Sequence, residues 1–241
     1  MSLNRREFIG IGGAALAGMA LAPGLRLVEL ARARSPEEAA TRLQRWGLLV
    51  DIGKCHDCNA CVTACHEENG VTSHGRPATD AQWIRKVALK DKLTGYVETL
   101  PVMCQHCAEP PCVDVCPTGA SFKRIDGIVL VDKHICIGCR YCMMACPYKA
   151  RSFVHEKTTD QKPHAPRGKG TVESCTLCVH RVDAGRIPAC VEACTKDGNK
   201  AMVFGDLKDP NSEINKQLAS APTTQLRPDL NLNTGVRYRG V

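Results

Sequence analysis

Sixteen cysteines in four groups of four constrain this 241-residue chain more than any other feature of its sequence. In every group, three residues separate the last two cysteines, which puts the last one about one helical turn, or roughly 6 Å along a helix axis, beyond the third. With only 4% aromatic residues, the chain has to build its interior around these thiols. The groups are, in chain order, Cys55, Cys58, Cys61 and Cys65; Cys104, Cys107, Cys112 and Cys116; Cys136, Cys139, Cys142 and Cys146; and Cys175, Cys178, Cys190 and Cys194.

The spacing within the groups indicates iron–sulfur clusters. The first and third groups read C-x2-C-x2-C-x3-C, and Pro117 and Pro147 follow the second and third groups. In this bacterial ferredoxin pattern three cysteines bind one [4Fe–4S] cluster and the fourth binds the neighbouring cluster. Structural zinc, which takes closed sets of four ligands, and disulfides are the alternatives. We predict four [4Fe–4S] clusters arranged in pairs.

The N-terminus has the pattern of an export signal. Arg5 and Arg6 are followed, after Glu7, by a Gly- and Ala-rich stretch that has no charge before Arg26. The pattern is typical of a twin-arginine signal, and an Ala-Arg-Ala cleavage site makes residues 1–33 the predicted signal peptide. An uncleaved anchor is the alternative, although a membrane span needs about 20 apolar residues. Because proteins on this route are loaded with cofactor in the reducing cytoplasm, the signal favours clusters over disulfides.

The formal net charge of +7 does not indicate a nucleic-acid partner. Each cluster with its four thiolates carries about −2 when oxidised, so we expect the basic residues mainly to balance buried anions. The sequence has no basic run with interleaved aromatic residues. It also has no nucleophile–base motif, phosphate loop or open metal site, so no catalytic residue is predicted.

Histidines and cations near the cysteines are candidates for contacts with the clusters. A histidine ligand would raise a cluster's potential, but sixteen cysteines already complete four clusters. We therefore expect hydrogen-bonding or surface roles for the nearby histidines, which are His56, His66, His106, His134 and His180. The cations Lys54, Arg140 and Lys149 are expected either to tune the potentials or to be solvated at the surface.

The segments between the cysteine groups predict short strands. Residues 83–89 and 95–102 are expected to form a hairpin whose turn lies at 91–95. Two further short strands are expected at 128–131 and 152–155.

The remaining segments predict a loop, a helix and an irregular tail. Residues 157–171 are polar and rich in Pro and Gly, which is typical of an exposed loop. The stretch DLKDPNSEINKQLAS predicts a helix capped by Asp209, with Pro210 at its first position. Residues 221–241 lack periodicity and are expected either to be disordered or to lie along a partner.

Four stretches of residues 46–241 resemble a known family: GLLVDIGKCHDCNACVTACHEENGV, CQHCAEPPCVDVCPTGA, DGIVLVDKHICIGCRYCMMACPYKAR and CTLCVHRVDAGRIPACVEAC. They are similar to the sixteen-cysteine, four-cluster iron–sulfur subunits of membrane oxidoreductases. Such subunits occur in dimethyl sulfoxide, polysulfide and tetrathionate reductases and in formate-dependent nitrite reductase. The chain looks most like the nitrite-reductase type, or like the periplasmic iron–sulfur subunit of the sulfite-reductase-associated transmembrane (Dsr) complex.

The resemblance implies a nested pairing of the groups, first with fourth and second with third, although spacing alone also permits sequential pairing. His66 and Thr195 stand where the inner groups have proline, so the outer pair departs from the pattern. The implied ligand sets are Cys55, Cys58, Cys61 and Cys194; Cys175, Cys178, Cys190 and Cys65; Cys104, Cys107, Cys112 and Cys146; and Cys136, Cys139, Cys142 and Cys116.

The resemblance also implies an α+β fold. We expect tandem bacterial-ferredoxin-like cluster-binding folds with an inserted β-hairpin and a long C-terminal arm. The outer pair would occupy residues 46–103 and 171–205, the inner pair residues 104–156, and the helix with its extended arm residues 206–241.

The function implied is that of a non-catalytic, periplasmic electron-transfer subunit that is membrane-associated through its complex. Its four [4Fe–4S] clusters would connect a polytopic, quinone-interacting membrane subunit with a cytochrome or a molybdopterin catalytic subunit, in a respiratory or sulfur-metabolism complex. The alternatives are a diffusible periplasmic ferredoxin or the electron-transfer subunit of a molybdopterin reductase.

Overall fold

Short strands alternate with short helices along the described chain. The computed structural model describes residues 40–55, 58–159 and 161–241, so the predicted signal peptide and His56 lie outside the described residues. The strands are β1 (Trp46–Asp51), β2 (Ile84–Lys90), β3 (Val97–Met103), β4 (Ser121–Lys123), β5 (Val129–Val131), β6 (Ser152–Phe153), β7 (Val172–Glu173), β8 (Met202–Asp206) and β9 (Val236–Arg239). The α-helices are α1 (Ala60–Asn69), α2 (Pro111–Asp114), α3 (Tyr141–Ala145), α4 (Val179–Val182), α5 (Ala189–Lys196) and α6 (Glu213–Ser220).

A three-stranded sheet joins distant parts of the sequence. Its central strand β1 pairs antiparallel with β8 and parallel with β9. The apolar run Leu48–Val50 in β1 is fully buried, as expected for a strand covered on both faces. In β9, Val236 and Tyr238 alternate inward between half-buried arginines. The sheet therefore fixes the start and the end of the described chain to the same core.

The expectation of a disordered segment at residues 221–241 was wrong. The end of this segment is ordered, because β9 is a strand of the protein's own sheet. On its other side, the backbone of Tyr238 exchanges two hydrogen bonds with Thr224. A four-residue strand gives almost no periodic signal, and its pairing with β1 is a contact between the two ends of the described chain.

The predicted hairpin is confirmed. Strands β2 and β3 pair antiparallel. At the turn, the carboxylate of Asp91 accepts the N–H groups of Leu93 and Thr94 at 2.7 and 2.9 Å. The short strands predicted at 128–131 and 152–155 are also confirmed as β5 and β6.

The predicted C-terminal helix is confirmed, but its cap is not Asp209. Helix α6 starts at Glu213, and the side chain of its N-cap Ser212 accepts the backbone N–H of Asn215. Asp209 instead closes a local turn, since its carboxylate accepts the N–H of Asn211 at 2.9 Å. A short Asp turn and a helix cap use the same kind of bond, and the sequence does not distinguish them.

The loop predicted at residues 157–171 is mostly exposed but is anchored at one buried residue. Arg167 forms a two-point ion pair with the buried Glu173, at 2.9 and 2.8 Å. Its third nitrogen donates to the carbonyl of Gly70, at the end of α1, at 2.7 Å. The loop is thereby attached to the first cysteine-bearing helix.

Cysteines supply much of the buried interior. Eleven of the thirty buried residues of the main core are cysteines. Residues 40–241 form one compact unit, in which α1 packs on α5 and α2 packs on α3. None of the helices in the described ranges has both the length and the apolar character needed to cross a bilayer.

Candidate metal centres

All sixteen thiols are free, and twelve of them are buried. Cys58, Cys116 and Cys136 are half-buried, and Cys139 is exposed. Buried free thiols at this density, without a disulfide, are the donor set of a metal centre rather than of a crosslinked fold.

Two packed helix pairs bring the cysteine groups together. Helix α1 carries Cys61 and Cys65, and α5, which packs on it, carries Cys190 and Cys194. One helical turn separates the two thiols of each of these helices, so each helix faces two neighbouring centres. The shorter helices α2 and α3, which carry Cys112 and Cys142, pack on each other and bring the second and third groups together.

The thiols gather in space into four sets of four. Two cavities are each lined by four cysteines. Elsewhere, burial and then negative charge on Cys112 and Cys146 raise the pKa of Cys107 to about 12. The sets are set one, Cys55, Cys58, Cys61 and Cys194; set two, Cys65, Cys175, Cys178 and Cys190; set three, Cys104, Cys107, Cys112 and Cys146; and set four, Cys116, Cys136, Cys139 and Cys142.

The four sets follow one another in a single series. The pKa of Cys65, in set two, is raised first by burial and then by charge on the other cysteines of its own set. Charge on Cys61, in set one, raises it further, so sets one and two are neighbours. Charge on Cys175 likewise contributes, after burial and Cys112, to the raised pKa of Cys104, which joins set two to set three. Set three meets set four where Cys142 contributes, after burial and Cys146, to the raised pKa of Cys112. The exposed Cys139 and the half-buried Cys58 thus belong to the two ends of the series.

The thiols fit iron–sulfur clusters on electrostatic grounds. Burial raises the pKa of Cys175 to about 12, so a set of buried thiolates needs a compensating cation such as iron. Backbone N–H groups already donate to sulfur, from Ser121 to Cys116 at 3.3 Å and from Ala201 to Cys194 at 3.2 Å. Such bonds stabilise anionic sulfur.

The wall of the set two cavity also offers a free donor. Trp83 lines this cavity, and its buried Nε1 has no hydrogen-bond partner within the described part of the chain. Asn69 donates to Cys65 Sγ at 3.8 Å in the same wall. An orphaned buried N–H is costly unless an acceptor is supplied, and the sulfides of a cluster are acceptors.

Comparison with known proteins identifies the family. The 4Fe-4S dicluster domain matches the chain twice, at residues 54–120 and 95–207. The chain is 43% identical to the Hdr-like menaquinol oxidoreductase iron-sulfur subunit 1 of Archaeoglobus fulgidus, over 98% of this chain and 97% of the relative. It is 39% identical to a subunit of tetrathionate reductase from Salmonella typhimurium (89% and 78%) and 40% identical to protein NrfC of Escherichia coli (74% and 73%).

The chain belongs to the family of oxidoreductase iron–sulfur subunits. It carries four [4Fe–4S] clusters and is an electron-transfer subunit of an oxidoreductase complex, not a catalytic one.

Three of the polar residues singled out from the sequence of this iron–sulfur subunit make contacts of different kinds. Nδ1 of His106 accepts the N–H of Val129 at 3.1 Å, so this buried histidine braces β5. Lys54 is exposed and pairs with Asp51, and Arg140 lies over the ring of Phe153. These bonds go to backbone, carboxylate and ring, not to sulfur.

A cationic side chain that does reach a sulfur was not singled out from the sequence. Arg151 is buried, and its Nη2 donates to Cys112 Sγ at 3.1 Å. Its position gives little sequence signal, because Lys149 is a second charge in the same stretch after Pro147.

A group of polar side chains outside the thiol sets links three segments of the iron–sulfur subunit. His164 and His180 stack with ring centroids 3.9 Å apart, and each bonds to Glu68. The arrangement resembles a cation site. However, Nε of Arg181 lies 3.5 Å from the carboxylate of Glu68 and already supplies positive charge. The cluster ties the loop around residues 157–171 to α1 and α4.

Proposed function

We propose that this chain is the periplasmic wire of a quinone-linked oxidoreductase, with one cluster held by each thiol set. The single series of four sets between two more accessible ends supports this proposal. The nested ligand assignment, with Cys65, Cys116, Cys146 and Cys194 each serving the cluster of another group, is part of it.

A bound [4Fe–4S] cluster supplies one-electron redox chemistry. The chain contributes fixed positions, burial and sulfur-directed donors. Sets two and three have no exposed cysteine, which keeps solvent away from the middle of the series. Sets one and four include the cysteines that reach the surface, where partners have access.

We propose that the membrane subunit docks at set four. Exposed apolar side chains come from the same ten-residue segment as Cys139, and they are Ile135, Ile137, Tyr141 and Met144. Arg140 within this segment and His134 just before it add exposed basic groups. Permanent subunit interfaces are more apolar than transient redox contacts, so the segment suits a permanent partner with an apolar patch inside an acidic rim. The other end of the series, at the half-buried Cys58, is then left for the second redox partner.

Export by the twin-arginine route is the proposed localisation. Arg5 and Arg6 carry this part of the proposal. A fusion of the full chain to a reporter that is active only after export tests it. The variant R5K/R6K should retain the folded, brown protein in the cytoplasm, and unchanged export in that variant would contradict the route.

The four-cluster electron-transfer role is tested by metal content and by the electron paramagnetic resonance (EPR) spectrum of a ligand variant. The protein purified without oxygen should contain sixteen iron and sixteen acid-labile sulfide per chain. Cys194→Ser should perturb the cluster of the first cysteine group, seen as one altered signal in EPR spectra. A content far below sixteen, or a perturbation confined to the fourth group, would overturn the proposal.

The docking segment is tested by copurification. The double variant I135E/M144E should lose the membrane partner while keeping its iron, because neither side chain lines the set four cavity. Leu93→Glu is the matched control, because Leu93 is 97% exposed in the turn of the hairpin. Equal partner loss in both variants, or in neither, would contradict docking at set four.

A further inference from the structure

Arg151 is a buried cation beside thiol set three. It is 5% exposed, and Nη2 lies 3.1 Å from Cys112 Sγ. Its Nη1 donates to Oγ of Ser121 at 2.8 Å, and Nε has no partner among the described residues.

Ser121 extends this contact to thiol set four. The backbone N–H of Ser121 donates to Cys116 Sγ at 3.3 Å. The two residues thus form a short bridge, Cys112–Arg151–Ser121–Cys116, between the sets of the inner pair.

The surroundings of Arg151 differ from those of the half-buried Arg124 and the buried Arg167. Arg124 is bonded to Asp126 and Asp183, and Arg167 is bonded to Glu173. Within the described ranges, no carboxylate lies within ion-pairing distance of Arg151. An unpaired buried charge is expensive, so anionic sulfur has to serve as its counter-charge.

We propose that Arg151 raises the reduction potential of the cluster held by thiol set three and, through Ser121, that of set four to a smaller extent. The inference rests on the proposed ligand sets. Reduction brings one electron from the neighbouring cluster and adds one negative charge beside Cys112, with no bond made or broken. A fixed cation at 3.1 Å stabilises that charge, and hydrogen bonds and charge near the sulfurs are known determinants of cluster potential. Arg151 is a positioning residue that acts through its sulfur contact.

EPR-monitored redox titration of the purified, fully loaded protein tests the proposal. Arg151→Met should lower one of the four midpoint potentials enough to change its reduced-to-oxidised ratio at least tenfold, which is about 59 mV for a one-electron couple. A second potential should fall by less. Arg151→Lys, which keeps the charge, should recover most of the shift.

Arg124→Met is the matched control, because it removes the same charge from a part-buried site whose guanidinium is bonded to carboxylates. It should leave all four potentials close to those of the wild type. Unchanged potentials in a fully loaded Arg151→Met protein, or an equal shift in the control, would overturn the inference.

If Arg151→Met does not retain iron, the same redox titration of Ser121→Ala tests the inference instead. It removes the bond that orients the guanidinium and should lower the same two potentials by a smaller amount, whereas unaltered potentials overturn the inference. Failure of the ligand sets themselves is distinguishable, because the wild-type protein would then already lack its sixteen iron.

Discussion

Gly138 and Gly170 approach so closely that a Cβ atom on Gly138 would lie 2.1 Å from the carbonyl oxygen of Gly170. Gly138 lies between Cys136 and Cys139, in the loop that brings the third cysteine group around its centre. Its φ of +70° is also one that residues with side chains rarely adopt. The loop of set four is therefore shaped by a backbone contact that only glycine allows.

Gly138→Ala should cost the protein the cluster of set four, because the added methyl group displaces the loop that holds Cys139. The expected result is a loss of about a quarter of the iron, measured by metal and sulfide content. Gly170→Ala is the control: its φ is +84°, but the methyl group would meet no atom within 4 Å. It should keep its iron, and equal loss in both variants would assign the effect to backbone strain alone.

Arg167→Met should destabilise the fold strongly, because it leaves Glu173, which is 0% exposed, without its cation. Breaking a buried pair in this way costs about 3–5 kcal/mol, and the midpoint of anaerobic urea unfolding should fall accordingly. Arg76→Met breaks a pair of similar length with Glu156 at the surface and should have a much smaller effect. Equal midpoints for the two variants would contradict this prediction.

Tyr238→Ala should show that the C-terminal strand is part of the core. The side chain is 0% exposed, and its hydroxyl donates to the carbonyl of Pro101 at 3.0 Å. Removing a buried aromatic ring costs about 3–5 kcal/mol, whereas Tyr238→Phe loses only the hydrogen bonds, at about 1 kcal/mol. Thermal unfolding measures both variants, and an Ala variant as stable as the Phe variant would mean that β9 is dispensable.

Removal of iron should unfold the core rather than leave a folded protein without clusters, because eleven of the thirty buried core residues are cysteines. After anaerobic chelation, we expect the near-ultraviolet circular dichroism to vanish and a dye that binds exposed apolar surface to be taken up. Iron with sulfide should restore the signal, and zinc should not. A chelated protein with native tertiary signals would contradict the prediction.

Local patterns allowed much of the fold to be predicted. The hairpin β2–β3 has strand-forming residues on both sides of a turn at Asp91, and it forms where expected. The cap at Ser212 was missed because Asp209 and Ser212 offer the same kind of acceptor within one turn of each other. Strand β9 was missed because its pairing partner β1 is at the other end of the described chain.

The cluster site was predictable in its ligands but not in its surroundings. Cysteine spacing is nearly unique to iron–sulfur proteins, so the sixteen thiols stood out in the sequence. Which cation reaches a sulfur depends on packing, and here Arg151 does so, whereas the predicted candidate Lys54 is exposed and paired with Asp51. The sequence does not show whether a charged side chain after a cysteine group points towards the cluster or towards solvent.

The parallel pairing of Val50 with Tyr238 joins two residues that lie near opposite ends of the described chain. At about 5–20 residues per second, on the order of ten seconds or more of synthesis separates the two. Until residues 236–239 have been made, one edge of β1 is open and the sheet is incomplete. A product truncated after Cys194 and before Val236 would keep all sixteen cysteines yet lack the strand that completes the sheet, and it would be recognisable to proteases by that open edge.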